Sequence, residues 1–362
     1  MKPGLSRSHA LRSHAPRVHA LRSHAARRLA AALALSLLAA CNGRLSPSTT
    51  VTGVRVLAVG ADRPEVRPGE STAVRALIAD PHGGGRPLGA VWLGCPPAEL
   101  GKSPCDDLAA LLDLASFAQQ PGVTGLASNP PVYSAPPGVL DGLTAARREF
   151  GGLDGQVVLG ASALASGGAP AGADESTARI KVSESRNPNR NPGFTAVTID
   201  GREAPEDQVV EIAADSTPAL RLEVDRDQSE AVPILDLLGP APCTPLAGCT
   251  DPKLCPSADC RRSQMCRVDQ GRCEKHEQLR VDWYSTAGTF SRAPPGQGPG
   301  GAPLPDEEGD QRIPRNVQIL FVAPGLVRGR DPVPPGGLVT LWVVLRDDRY
   351  GVSWTSRTLR VR

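Results

Sequence analysis

The chain of 362 residues carries 40 basic and 38 acidic side chains, a formal charge of +2. That length admits two domains, and the absence of a basic stripe excludes nucleic acid as an expected partner. Aromatic residues make up 3% of the chain, which leaves few rings for a sugar-stacking surface.

Residues 1–40 hold seven basic residues (Lys2, Arg7, Arg12, Arg17, Arg22, Arg27, Arg28) and no acidic one. Residues 41–362 carry 33 basic against 38 acidic residues, a net charge of −5. His9, His14, His19 and His24 recur every five residues. Five residues turn a helix by about 140°, so these imidazoles share no face, and the leader reads as a low-complexity n-region or as sequence upstream of the true start. Residues 29–40, LAAALALSLLAA, form an apolar run behind Arg27-Arg28. A spanning helix needs about 20 apolar residues, so this is a signal-peptide h-region and not a membrane span. A core helix with a buried Cys41 explains it less well, because a basic leader, a short apolar run and a small-small-Cys ending coincide.

Leu38-Ala39-Ala40-Cys41 resembles the lipobox of bacterial lipoproteins. The resemblance implies cleavage before Cys41, a diacylglyceryl group on its sulfur and an acyl chain on the new amino group. Two or more chains anchor stably where one binds marginally. No other cofactor is expected. Residues 41–52 then form the lipidated cysteine and a polar tether. In the lipoprotein sorting scheme Asp after the cysteine favours the inner membrane; here Asn42 points to the outer membrane.

Residues 53–185 read as a first β-sandwich. VRVLAV (54–59) is a strand by its β-branched content, and Arg67-Pro68-Gly69-Glu70 is a turn. In 71–79, Val74, Ala76 and Ile78 lie on one face and Arg75 on the other. A third strand, 89–93, holds Trp92. An insertion spans 95–153. It opens with Cys95 and Cys105, close enough in sequence for a disulfide, and Ser103-Pro104-Cys105-Asp106 starts a helix continued by Leu108, Leu111, Leu112 and Ala115. Strands resume at 156–162 and 177–183, where Ala178, Ile180 and Val182 alternate with Arg179, Lys181 and Ser183. Residues 186–192, rich in Asn-Pro steps that disfavour helix, form a linker.

Residues 193–362 repeat the order. Strands are expected at 194–199, 207–213 and 218–225, the last with Leu220, Leu222 and Val224 on one face. A cysteine-rich insertion spans 230–277. Strand 279–283 carries Trp283 at the place matching Trp92, and a core Trp on a central strand is an immunoglobulin-like feature. Strands 316–322, 338–346 and 351–361 close the domain. The last two form a hairpin around Asp347-Asp348-Arg349; pairing Leu345 with Gly351 sets Trp342 opposite Trp354, as core or as an exposed binding platform.

Cys243, Cys249, Cys255, Cys260, Cys266 and Cys273 contain no Cys-x-x-Cys step, the knuckle that zinc ribbons need. With Cys95 and Cys105 they make eight, an even number in an exported chain, and a disulfide framework is expected. Spacing does not choose the pairing. Other sites are weaker. Gly296–Gly301 matches G-x-G-x-x-G but has no helix after it to hold a pyrophosphate. Asp225, Asp227 and Glu230 supply oxygen ligands in reach of one calcium ion, or else a solvated acidic loop. No pattern of catalytic residues emerges.

VRVLAV, RPEVRPGE, VRALIADPHG, Trp92 and Cys95 in the first half resemble Ig-like lipoproteins of myxobacterial type. So do WYSTAGTF (283–290) and GLVTLWVVLRDDRYGVSW (337–354) in the second. The resemblance implies an Ig-like fold and an envelope location and supplies no catalytic residues. The expectation is an all-β chain of two Ig-like sandwiches, with a helical insertion in the first and a disulfide-rich insertion in the second. Its expected role is non-catalytic binding or spacing, with the membrane as one partner through the lipid anchor and an envelope protein or polysaccharide as another. A carbohydrate-binding module and an envelope enzyme are the alternatives.

Overall fold

Strands dominate wherever the computed structural model describes the chain: residues 49–81, 88–98, 131–164, 170–224, 231–234, 240–248, 254–255, 257–260, 264–291, 317–327 and 330–362. The signal segment, Cys41, the helix expected after Ser103 and the 296–301 glycines lie outside these residues. So do Cys105, Cys249, Asp225, Asp227 and Glu230.

The first half contributes β1 (Arg55–Ala61), β2 (Glu65–Val66), β3 (Ser71–Ala79), β4 (Leu88–Ala98), β5 (Val132–Ser134), β6 (Leu153–Leu164) and β7 (Pro170–Val182). They form two sheets, β1-β3-β5 and β2-β7-β6-β4. The second half contributes β8 (Ala196–Ile199), β9 (Arg202–Glu203), β10 (Val209–Ile212) and β11 (Ala219–Glu223). The cysteine-rich segment comes next, with β12 (Ala231–Pro233), β13 (Leu254–Cys255), β14 (Met265–Arg267) and β15 (Arg272–His276). Then come β16 (Arg280–Ser285), β17 (Thr289–Ser291), β18 (Gln318–Val322), β19 (Leu338–Arg346) and β20 (Val352–Val361). Here the sheets are β10-β20-β19-β16 and β17-β18-β11-β8-β9, with β12-β15-β14-β13 as a separate module.

Both halves share one strand plan. The last strand lies beside the preceding one and then the Trp-bearing strand: β7-β6-β4 and β20-β19-β16. A short strand joins the last strand in parallel, β2 on β7 and β10 on β20. The first, second and fifth-type strands make the opposing sheet. In Ig lettering these are G-F-C against A-B-E, with β17 as D in the second half, which is the Ig sandwich. The chain is therefore all-β with two Ig-like sandwiches. Trp283 on β16 is buried among Leu220, Leu222, Phe321, Leu341 and Val343. Trp92 on β4 packs half-buried against the core of Val59, Val74, Leu159 and Ile180.

Within the expected 95–153 insertion lies one strand of the sandwich itself. Val132–Ser134 pairs with β3 and carries Tyr133 into the first core. Three residues between prolines are too few to show a strand period, so the sequence hides this edge. The other described element in it is one π turn, Arg147–Gly151.

A third apolar cluster joins the two sandwiches. Val51, Leu57, Ala58 and Ala79 meet Val344 and Val352, with Leu77, Tyr284, Trp342 and Trp354 packed around them. β1 is buried along nearly its whole length and β19 at three consecutive residues, Val343–Leu345. Each strand faces its own core on one side and the other sandwich on the opposite side. Gly60 permits the approach: a Cβ there would meet the Val352 Cβ at 3.2 Å and the Trp354 ring at 3.4 Å.

The 347–351 hairpin differs from expectation. Leu345 pairs with Ser353, not Gly351, so Trp342 faces Ser356 and Trp354 faces Val344. The reason is the turn. The Asp347 carboxylate accepts the N–H groups of Arg349 (2.8 Å) and Gly351 (2.7 Å), and Tyr350 takes φ +81°, which closes a five-residue loop. The two indoles are diagonal neighbours on the outward face, half-buried in the seam between sandwiches.

Neither the tether nor the linker is loose where described. Val51 N–H donates to the Ser285 carbonyl (2.7 Å) and Ser285 N–H to that of Thr49 (2.9 Å), which adds the entering chain to the edge of β16. Asn191 spans the halves: its Nδ2 donates to the Ala61 carbonyl (2.8 Å), and its Oδ1 accepts from Val352 N–H (2.9 Å).

Candidate functional site

Among the described residues, a group of buried charge sits where the two sandwiches and the disulfide module meet. Glu65 lies on β2, the two-residue strand that comes after Pro64, and is 3% exposed. Its carboxylate accepts from Asn189 N–H at 2.7 Å and from the Ser183 hydroxyl. Arg349, at the tip of the β19–β20 hairpin, donates to Glu65 at 2.6 Å and to buried Glu277 at 2.8 Å. One guanidinium thus clamps a carboxylate of the first sandwich and one at the exit of the disulfide module. Asn189 Nδ2 adds bonds to Asp347 (3.2 Å) and to the Arg349 carbonyl (3.0 Å). Burial pushes the Asp347 carboxyl up, against the pull of its backbone donors.

Beside the clamp runs an open cleft of about 900 Å³. Lys181, Asp154, Tyr350 and Phe150 line it together with Arg272 and Lys275 of the module. Its polar groups engage one another. Tyr350 donates to Asp154 at 2.8 Å, Lys275 pairs with Asp348, and Lys181 donates to the Phe150 carbonyl at 3.0 Å. Arg272 pairs with buried Glu274 at 2.8 Å and lies 4.9 Å over the Phe150 ring. Burial pushes the Lys181 ammonium down, opposed by the Glu65 charge. The arrangement fastens three bodies together through ion pairs and hydrogen bonds among its own side chains.

The three tyrosines of the chain report on this burial. Tyr350 is pushed up to about 12, first by burial and then by the Asp154 charge. Tyr133 and Tyr284 are also raised, chiefly by burial. A folded value above the unfolded one of 10.0 contributes stability that is complete below pH 10 and is lost as pH rises, for Tyr350 through about 12. Lys181 runs the other way, its penalty easing as pH climbs toward 10.5. Less phenolate absorbance is expected in the folded protein at pH 10 than in the unfolded chain, with the difference lost on unfolding. As much phenolate at pH 10 in protein that is still folded as in the unfolded chain would refute the burial of these rings.

Of the expected cysteines, Cys243 bonds Cys266 and Cys260 bonds Cys273, and Cys95 and Cys255 are also disulfide-bonded. The sulfurs of Cys243, Cys260 and Cys273 lie within 4.8 Å of one another. Sulfur in a disulfide is no thiolate, so this proximity is two adjacent staples and not a ligand set. The pairs interlace in sequence and brace a small sheet with few large apolar residues. Trp342 and Trp354 lie in the seam, with Arg75 6.0 Å over the Trp354 ring. Sequence reading missed Glu65, Glu277 and Arg349. Asp347-Asp348-Arg349 looks like any solvated hairpin tip, and only the contacts with Glu65 of the other sandwich and Glu277 at the module exit cover the Arg349 side chain.

No protein-family model matches the chain, and no curated protein does. Among solved structures, Drosophila N-cadherin EC1-4 aligns at 10% identity and a TM-score of 0.21, over 86% of this chain and 51% of that one. The chain thus spans about half the length of that cadherin. The Ig1-2 module of the Drosophila receptor protein tyrosine phosphatase DLAR aligns at 9% identity and a TM-score of 0.19, over 86% of this chain and 99% of that one. At such scores neither likeness carries an argument; the Ig-like assignment rests on the strand order of the two sandwiches.

Proposed function

We propose that this chain is a lipid-anchored protein of the cell envelope, held at the outer membrane through Cys41, that binds or spaces a partner without catalysis. The partner class is an envelope protein or polysaccharide. The observation that carries the reading is the joining of the two sandwiches. Domains in tandem move relative to one another unless a large apolar interface stops them. Here an apolar seam, the Arg349 clamp and the Asn191 bridge all cross the junction. A body stiffened in that way suits holding a surface at a set distance from its anchor. Disulfides in the module fit an oxidising compartment. The carbohydrate reading loses its first candidate platform, because Trp342 and Trp354 are spent in the seam.

Cell fractionation of Cys41→Ser tests the anchor. The parent is expected to sediment with membranes and the variant to move to the soluble fraction. A variant that sediments like the parent would sink the reading.

A further inference from the structure

The pole of the second sandwich opposite the clamp gathers strand ends: β10, β16, β18 and β20 finish there, and β11 and β19 begin there. The entering chain is fixed at this pole. Thr49–Val51 pair with Ser285, and the Thr50 hydroxyl donates to the Gly288 carbonyl at 2.9 Å. Gly288 N–H in turn donates to the Asp331 carboxylate at 3.0 Å, and Gly325 N–H to the Asp331 carbonyl at 2.9 Å. The entry point of the chain and the turn through Gly325 are thus two short steps apart.

That turn is built with care for its backbone and none for its side chains. The Asp215 carboxylate accepts from Leu326 N–H at 3.0 Å and Val327 N–H at 3.2 Å. Gly325 lies so close that a Cβ there would stand 2.0 Å from Asp215 Oδ1. Arg330 ties the base of the turn to the Ser216 (3.1 Å) and Ala323 (3.2 Å) carbonyls. What the scaffold holds out is Leu326, 92% exposed, and Val327, 58% exposed. They are the two most exposed large apolar side chains among the described residues. Leu338, at the start of β19 on the same pole, is also exposed. Single exposed apolar residues are ordinary; a fixed tip of adjacent ones at the tether's entry is not.

We infer that Leu326 and Val327 insert into the lipid bilayer that anchors Cys41, so that this pole of the second sandwich rests on the membrane and the clamp and disulfide module face away from it. The inference rests on the lipid anchor of the proposed function. Seven residues lie between Cys41 and Thr49, and the eight Cα-to-Cα steps they make reach at most about 30 Å. The anchor therefore keeps this pole, before any other part of the body, within reach of the lipid surface. An apolar tip seated in the headgroup–acyl boundary gains burial that water denies it.

The test uses acylated full chains in vesicles of phosphatidylethanolamine and phosphatidylglycerol, with and without bromine on the acyl chains. Leu326→Trp adds an indole at the tip, and the parent's own tryptophans supply the baseline. For insertion to a depth of roughly 5–10 Å, brominated lipid should quench roughly half or more of the added emission. Leu246→Trp, on the exposed disulfide module, should show no such loss. A chain that floats with vesicles but whose added indole at position 326 is unquenched, or is quenched no more than that at 246, overturns the docking alone. A chain that does not float overturns the anchor and the docking with it.

Discussion

Replacing Arg349 by alanine is expected to cost about 3–5 kcal/mol of unfolding free energy, since it strands two buried carboxylates in a low-dielectric junction. Glu65 and Glu277 approach its guanidinium at 2.6 and 2.8 Å and are almost wholly buried. Their other donors, Ser183 and Asn189 N–H for Glu65, remain in the variant. These neutral donors do not replace a positive charge. Urea unfolding monitored by circular dichroism reads the loss as a fall in midpoint. A triple variant, Arg349→Met with Glu65→Gln and Glu277→Gln, should recover most of it, because the cost lies in keeping two carboxylate charges buried without the guanidinium and not in the lost contacts of its side chain. If Arg349→Ala unfolds at the parental midpoint, the clamp is ornamental and the stiff junction loses its polar half.

The second large effect falls on the core. Trp283→Ala is expected to cost about 3–5 kcal/mol, the usual range for emptying a buried Trp site. The indole fills the space between β11, β18 and β19, against Leu220, Leu222, Phe321 and Leu341. These residues come from both sheets, so their collapse onto the cavity would have to move strands. Trp92→Ala, at the equivalent strand of the first sandwich but only half-buried, should cost less. The same urea titration compares them, and a larger loss at Trp92 would contradict the burial that separates the pair.

Much of this architecture is legible one strand at a time. Alternation in Ala178-Arg179-Ile180-Lys181-Val182 and in Leu220-Arg221-Leu222 announces half-buried strands, because a pleated chain sends successive side chains to opposite faces. Two Trp-bearing strands in matching places announce a duplicated sandwich, and close cysteines without knuckle spacing announce staples. Where period-two reading fails, the failure has a cause. The hairpin register slips by two residues because Asp347 captures two backbone N–H groups and enlarges the turn, a choice that hydropathy does not encode. β5 goes unseen because it is three residues long.

Local pattern therefore determined the sheet class, the core faces and the cysteine staples, since those depend on neighbours in the chain and on one buried side. Tertiary structure alone decided the rest. Leu57, Val344 and Trp354 belong to a seam, and Glu65, Glu277 and Arg349 to a buried clamp. Each sits on the side of its strand or turn that an isolated sandwich would leave in water. Burial there is conferred by a surface distant in sequence, and a residue carries no local mark of the partner that will cover it.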